Sequence, residues 1–508
     1  MSQLPVLVLV IPLLTAFAIS IFGRRSDKVA FFLLTGAMAG SFFCSVGTLL
    51  QVLASDAPIH YHVGNWPAPI GIELVIDHLN GFVLCLVSGV ALLTAIYSLR
   101  SVPAEVPIRR GTEKVPQRLP NYYTLYSLLI TGLLGMTATG DAFNLYVLLE
   151  ISALSSYALL ALGSGRSYYA TFKYIILGTV GACFYLLGIG YLYIKTGTLN
   201  MADLARLLHE PTLMQSVSIK VAFLFVIVGL FIKMALFPAH GWLPNAYSRC
   251  SPTTSCLIAP LMTKVTVYIM IRLMFSVFNS HYIFSLLHWQ QAVVPLATVA
   301  ILFGSISALA QKDLRRMLTY IIVAEVGYMV GGVWLGNTSG FTGATYHILA
   351  DAAMTLCLFM AVGAIIYMTG DSSFAAMEWI FRRMPVTAVV FVVGAFAMIG
   401  IPPTCGFFSK WYLIKGAIQG GQWPFMVALL FSSLVNAIIF FRLIEIGYFG
   451  SKPQEGHFHA PAIAVCEAPL SMLVPMLLTA ASLIVIGIYT REIVTGLVNY
   501  AIPPGLGL

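Results

Sequence analysis

The run Phe231-Ile-Lys-Met-Ala-Leu-Phe-Pro-Ala-His-Gly-Trp-Leu-Pro-Asn-Ala-Tyr247 follows an apolar stretch over residues 221–230, so it reads as the lower half of a membrane-spanning helix. Two of its residues do not suit that role. Lys233 puts a cation where lipid or apolar helices should surround the chain, and an intramembrane charge points to function by default. Pro238 lacks a backbone donor and clashes with the preceding turn, so the helix must break or kink. Irregular backbone at membrane depth persists only where protein or an internal aqueous cavity receives the freed polar groups. A polar interior is therefore expected, and the rest of the chain can be read for what faces it.

Of the 508 residues, 59% are hydrophobic and 9% charged, whereas soluble proteins carry about 25% charged residues. The mean hydropathy is +0.90. These values predict an all-α polytopic membrane protein. The first apolar run, residues 5–23, has no basic segment before it and no small-residue cleavage site, so a first transmembrane helix is expected rather than a signal peptide. The net charge of +8 sits in short loops, where membrane topology accounts for it, and no nucleic-acid partner is implied. The eight cysteines show no metal spacing. Cys44, Cys85, Cys183 and Cys357 fall inside apolar runs and read as small core residues. No phosphate loop, haem motif or nucleophile elbow occurs, so neither a cofactor nor a metal is expected.

A helix needs about 20 apolar residues to cross a bilayer. On that template the chain offers about fourteen spans, at 5–22, 29–53, 79–99, 122–139, 143–162, 168–194, 216–237, 254–275, 292–310, 317–335, 342–368, 386–419, 424–449 and 470–489. The polar stretch 55–77 holds Tyr61-His-Val-Gly-Asn-Trp66, which suits a small extramembrane hairpin, and residues 201–208 suit a short interfacial helix. Tyr122, Tyr123, Tyr168, Tyr169 and Trp289 read as interface anchors. Basic residues follow every second span: Arg24, Arg25 and Lys28; Arg100, Arg109, Arg110, Lys114 and Arg118; Arg166; Arg249; Lys312, Arg315 and Arg316; Arg382 and Arg383; and Lys452. The positive-inside rule then turns both termini away from the cytoplasm.

A weak internal repeat emerges from the same count. Residues 122–277 and 290–449 each form a five-helix unit whose fourth helix is broken, at Pro238 in the first and at Pro402 and Pro403 in the second. Residues 1–121 precede the two units and 450–508 follow them. An odd helix number inverts the second unit, and matching broken helices in inverted repeats point to an ion site near the midplane.

Other charges lie in the apolar runs: Glu150, Lys173, Lys264, Glu325, His347, Asp351, Lys410 and Glu445. Each costs about 2.5–3.5 kcal/mol at the bilayer centre on the permissive insertion scale. Glu150 and Lys233 form a natural pair. A buried lysine can become a proton carrier near neutral pH when its carboxylate moves away. The bland readings stand beside this one: Lys173 snorkelling, His347 a satisfied core histidine, Glu445 with Arg442 a local pair or boundary anchors, and Glu150, Lys233 and Lys264 a set of static packing pairs.

These residues carry a resemblance. Asn144-Leu-Tyr-Val-Leu-Leu-Glu150, the stretch from Lys233 to Tyr247, and Gly400-Ile-Pro-Pro-Thr-Cys-Gly-Phe-Phe-Ser-Lys410 resemble the antiporter-like membrane subunits shared by Mrp-type cation/proton antiporters, complex I and membrane-bound hydrogenases. Gly197-Thr-Leu-Asn-Met-Ala-Asp-Leu204 is similar to the Mrp-D branch of that family. The resemblance implies a proton half-channel through Glu150, Lys233 and Lys264, joined along a polar axis by His347 and Asp351 to a second around Lys410. Lys173, Glu325 and His240 are secondary candidates. The chain departs from the family at three places. Asp351 or Thr355 stands about where the eleventh helix usually carries lysine or histidine, Glu325 replaces a neutral polar residue, and Asn245 replaces an aspartate. The implied activity is proton translocation, with or without exchange for sodium, inside a multisubunit assembly in a prokaryotic plasma membrane. The alternative is the pump subunit of an NADH/quinone or hydrogenase complex, with redox centres on partner chains.

Overall fold

The computed structural model describes residues 3–105, 118–163, 167–450 and 465–506. Arg109, Arg110, Lys114, Arg166 and Lys452 lie outside the described residues. The principal helices are α1 (Leu4–Phe22), α2 (Asp27–Ser55), α3 (His78–Glu105), α4 (Arg118–Ala138), α5 (Ala142–Ala161), α6 (Ser167–Thr196), α7 (Met201–Leu208), α8 (Val217–Lys233), α9 (Leu243–Arg249) and α10 (Pro252–Leu273). They continue as α11 (Gln290–Leu309), α12 (Leu314–Trp334), α13 (Thr338–Thr369), α14 (Pro385–Ile399), α15 (Cys405–Gln419), α16 (Trp423–Phe449) and α17 (Leu470–Ile488).

Eleven helices among the described residues are long and apolar enough to cross a membrane, so the chain is an all-α polytopic membrane protein. The other three expected spans fall on α4, on α8 with the turn that follows it, and on the broken pair α14 with α15. The polar stretch forms an antiparallel hairpin of β1 (Ile59–His62) and β2 (Glu73–Ile76), wider than its Tyr61–Trp66 kernel. Glu73 fastens it by accepting from Asn200 Nδ2 at 3.2 Å.

Burial sorts the helices. The apolar windows of α10, α12 and α13 are each 94% buried inside the protein, against 28% in α1. Helices surrounded on all sides form the interior, and these three carry Lys264, Glu325, His347 and Asp351. Helix α13 packs on α10, α12, α14 and α15, which makes it the central strut. The two expected units share local architecture. Asp141 caps α5 by accepting from Phe143 N and Asn144 N, and pairs through its backbone with Asn200 beyond α6. Asp313 caps α12 by accepting from Arg316 N, and pairs likewise with Ser373 beyond α13.

Both breaks follow from proline. Pro238 cannot supply the N–H that Met234 O would accept and crowds that carbonyl, so α8 ends at Lys233 and Ala235 adopts φ 60. Helix α14 ends at Ile399 on Gly400, whose φ of 94 is open to glycine, and α15 begins after Pro402 and Pro403. The halves of the second break are pressed together: a Cβ on Gly406 would stand 1.9 Å from Ala397 O.

Three readings from the sequence need correction. Tyr122 and Tyr123 are 0% and 1% exposed, core residues rather than interface anchors, because α1, α2 and α3 all pack on α4. Cys183 is exposed on the outer face of α6, and Cys44 and Cys85 are only half-buried. Glu445 and Arg442 are exposed with no salt bridge joining them, which removes the local-pair alternative and leaves the boundary one.

Gly406→Ala is expected to destabilise the protein by about 3 kcal/mol or to prevent assembly. Gly36→Ala, where a Cβ meets nothing within 4 Å, should be neutral or stabilise by up to about 1 kcal/mol. Melting temperature in mild detergent distinguishes the two.

Candidate functional site

The two breaks expose backbone carbonyls that the sequence must satisfy, and lysines gather there. At the first break, Ile232 O accepts from Ala235 N at 3.2 Å and also from Trp242 Nε1 at 3.1 Å. Lys233, the last residue of α8, reaches across to Glu150 of α5 with Nζ 3.3 Å from Oε1. The lysine side chain is 8% exposed and the carboxylate 25%, so the pair opens on the acid's side. Helix α8 is held in place by backbone contact with α6, where a Cβ on Gly229 would lie 2.6 Å from Gly181 O.

The second pair is buried completely. Lys264 Nζ of α10 stands 2.9 Å from Asp351 Oδ2 of α13, with side chains 1% and 0% exposed. Lys264 also donates to Ala259 O at 3.2 Å and Thr355 Oγ1 at 3.5 Å, while Thr355 donates to Asp351 Oδ1 at 2.8 Å. Asp351 is thus a carboxylate clamped by a hydroxyl one turn on.

A third cluster joins α12, α13 and α15. His347 Nε2 lies 2.6 Å from Glu325 Oε2, both side chains 0% exposed, and Nδ1 lies 2.9 Å from Ser409 Oγ. An imidazole bonded at both nitrogens can take a proton at one and release it at the other. His347 and Asp351, one turn apart on α13, turn to different partners: His347 meets the α12 carboxylate and Asp351 the α10 lysine.

Lys410 of α15, next to Ser409, reaches back over the second break. Its ammonium donates to Met398 O at 2.7 Å and Ile399 O at 3.3 Å, the unpaired end of α14, and lies 5.4 Å from the centre of the Tyr328 ring. A cation at a helix C-terminus is favoured by the helix dipole.

The structure therefore brings Glu150, Lys233, Lys264, Asp351, His347, Glu325 and Lys410 into the interior. Two secondary candidates stay apart. Lys173 is exposed on α6 with its ammonium over the Tyr169 ring, and His240 is half-buried between Phe237 and Phe303.

Sequence reasoning missed two features and the bonding of a third. Ser409 escapes, and Thr355 is noted only for its place in the eleventh helix, because single hydroxyls in apolar runs carry little signal. Arg272 at the end of α10 pairs with Asp77 at 2.6 Å, and its charge within an apolar run was the available signal. Burial pushes the Asp77 carboxyl up, but Arg272 outweighs it and holds the group below the usual carboxylate range. Among the described residues no three His, Cys, Asp or Glu side chains come together as a metal-sized group.

The chain belongs to the NADH:quinone oxidoreductase/Mrp antiporter transmembrane family, whose model matches residues 139–436. It is similar to NADH-quinone oxidoreductase subunit N of Desulforudis audaxviator (strain MP104C), with 42% identity over 508 residues and 99% of each chain covered. It is also similar to the putative antiporter subunit mnhD2 of Staphylococcus aureus (strain MRSA252), with 30% identity over 461 residues, covering 90% of this chain and 88% of that one. A chain of the membrane-bound sulfane sulfur reductase, an archaeal respiratory membrane complex, matches with TM-score 0.87 and 30% identity, covering 99% of this chain and 98% of the other. A chain of the Mrp complex from Dietzia sp. DQ12-45-1b shares the fold, with TM-score 0.85, 24% identity and coverage of 99% and 97%.

Removing one partner of a buried pair strands the other. Glu325→Leu is expected to cost about 3–5 kcal/mol, with much of it recovered when His347→Leu is added. Thermal melting of the two variants beside the parent checks this.

Proposed function

We propose that the chain is a proton-translocating subunit of a multisubunit Mrp-like membrane complex, with or without sodium exchange. The observation that carries the reading is the set of ionisable side chains from Glu150 to Lys410, two of whose ion pairs are almost wholly shielded from solvent. Charges this costly to bury, set at two helix breaks and along the three most enclosed helices, suit a path that is loaded and emptied. Lys233 takes a proton in company with Glu150, Lys264 and Asp351 carry it across the α10–α13 contact, and His347 with Glu325 passes it to the region of Lys410.

The matched caps of α5 and α12 support reading residues 122–277 and 290–449 as inverted units. In this reading the chain crosses fourteen times with both termini on the non-cytoplasmic side of a prokaryotic plasma membrane, which the Lys and Arg bias of alternate loops supports.

A second reading is a proton-pumping subunit of a redox complex. The full-length likeness to an NADH-quinone oxidoreductase subunit at 42% identity favours it. The electron-transfer centres would then sit on partner chains. Mass spectrometry of the native complex separates the two readings: small antiporter subunits without iron–sulfur proteins support the first, and iron–sulfur or quinone-reactive subunits support the second.

Lys233→Met and Glu150→Gln are each expected to slow proton movement by about a hundredfold in vesicles holding the assembled complex. A pH-sensitive dye reads the rate. Normal rates in both variants would refute the pathway.

A further inference from the structure

Lys410 differs from the other buried lysines in what surrounds it. Lys233 and Lys264 each face a carboxylate, whereas the Lys410 ammonium is held by the carbonyls of Met398 and Ile399. Asn436 of α16 shares one of them, donating its amide to Met398 O at 3.4 Å. Asn436 is 1% exposed, yet its Oδ1 has no hydrogen-bond partner among the described residues.

The Tyr328 hydroxyl is in the same state. Tyr328 is fully buried on α12, its ring lies 5.4 Å from both the Lys410 ammonium and the His347 ring, and its hydroxyl completes no hydrogen bond among the described residues. That hydroxyl faces Ser432 and Ser433 of α16. Ser432, one turn before Asn436, accepts a 2.7 Å hydrogen bond from Ser305 of α11. Two buried oxygens without partners thus belong to residues beside one lysine, Tyr328 through its ring and Asn436 through the shared acceptor Met398 O. Apolar residues of similar shape would remove the stability cost of both. Polar groups kept together in this way suit a water, which needs about two to four such partners.

We propose that Tyr328 and Asn436 are positioning residues, holding the water that takes the proton from Lys410 and hands one on to the Ser305–Ser432 hydroxyls between α11 and α16. This rests on the pathway proposed above. In the step, one N–H bond of the ammonium breaks and an O–H bond forms on the water, which releases a different proton to the next hydroxyl. The lysine is left as a neutral amine. It retains two N–H donors for its two carbonyls, and its lone pair turns to the water. The site therefore accommodates both protonation states without a carboxylate.

The test uses vesicles holding the assembled complex with Tyr328→Phe or Asn436→Leu, read by proton movement and by melting temperature. Each variant should slow proton movement about tenfold while the melting temperature holds or rises. A merely structural role predicts the same melting behaviour with proton movement unchanged. Parental rates in both variants, with Lys233→Met inactive, would overturn the water-holding role and leave the wider pathway intact. Parental rates in Lys233→Met as well would remove the pathway itself. Should Asn436→Leu fail to assemble, Tyr328→Phe, which deletes a single oxygen, decides the matter.

Discussion

Lys264 and Asp351 meet at 2.9 Å with almost no exposure, and they do so across the contact between α10 and α13. Moving either charge alone into a medium of low dielectric costs several kcal/mol even after relaxation. Each helix therefore constrains the other, because sliding or tilting would part the charges inside the protein. Helix α13 also packs on α15, which carries Lys410, so the contact links Lys264 to the second break. Thr355 and Ala259 O add hydrogen bonds to the pair, so it is held by hydrogen bonding as well as attraction.

Around this joint the breaks take on a common logic. A helix interrupted at membrane depth presents carbonyls with no intrahelical donor. At the first break an indole and the Ala235 amide share one of them, which leaves Lys233 for its carboxylate. At the second the lysine itself takes two, and no carboxylate stands within ion-pair distance of it among the described residues. The two breaks are thus chemically unequal, and His347, bonded to Glu325 and Ser409, stands between the joint and the second break.

Much of this was legible in the sequence, because prolines and charges inside apolar runs are local signals. The span pattern, both breaks and the residues Glu150, Lys233, Lys264, His347, Asp351 and Lys410 need no knowledge of tertiary contacts. Partnership is another matter. That Asp351 belongs to Lys264, while His347 one turn away belongs to Glu325, depends on which helix faces each side of α13. Tyr122 and Tyr123 sit near a span end and look like interface residues, but neighbouring helices cover them. Glu105 and Glu467 cap the first turns of α10 and α14 from distant positions, at Thr253 N and Val386 N, and no local pattern announces such a cap.

The central claim is that the buried ion pairs carry protons and are not merely struts. The most direct measurement is proton movement by the assembled complex carrying Lys264→Met together with Asp351→Leu. Replacing a buried pair by apolar residues of similar volume is often neutral or stabilising by about 1–4 kcal/mol, so assembly and melting temperature should hold. If the pair carries protons, the complex is stable and inactive. A stable complex that moves protons at the parental rate would contradict this and make the pair a strut.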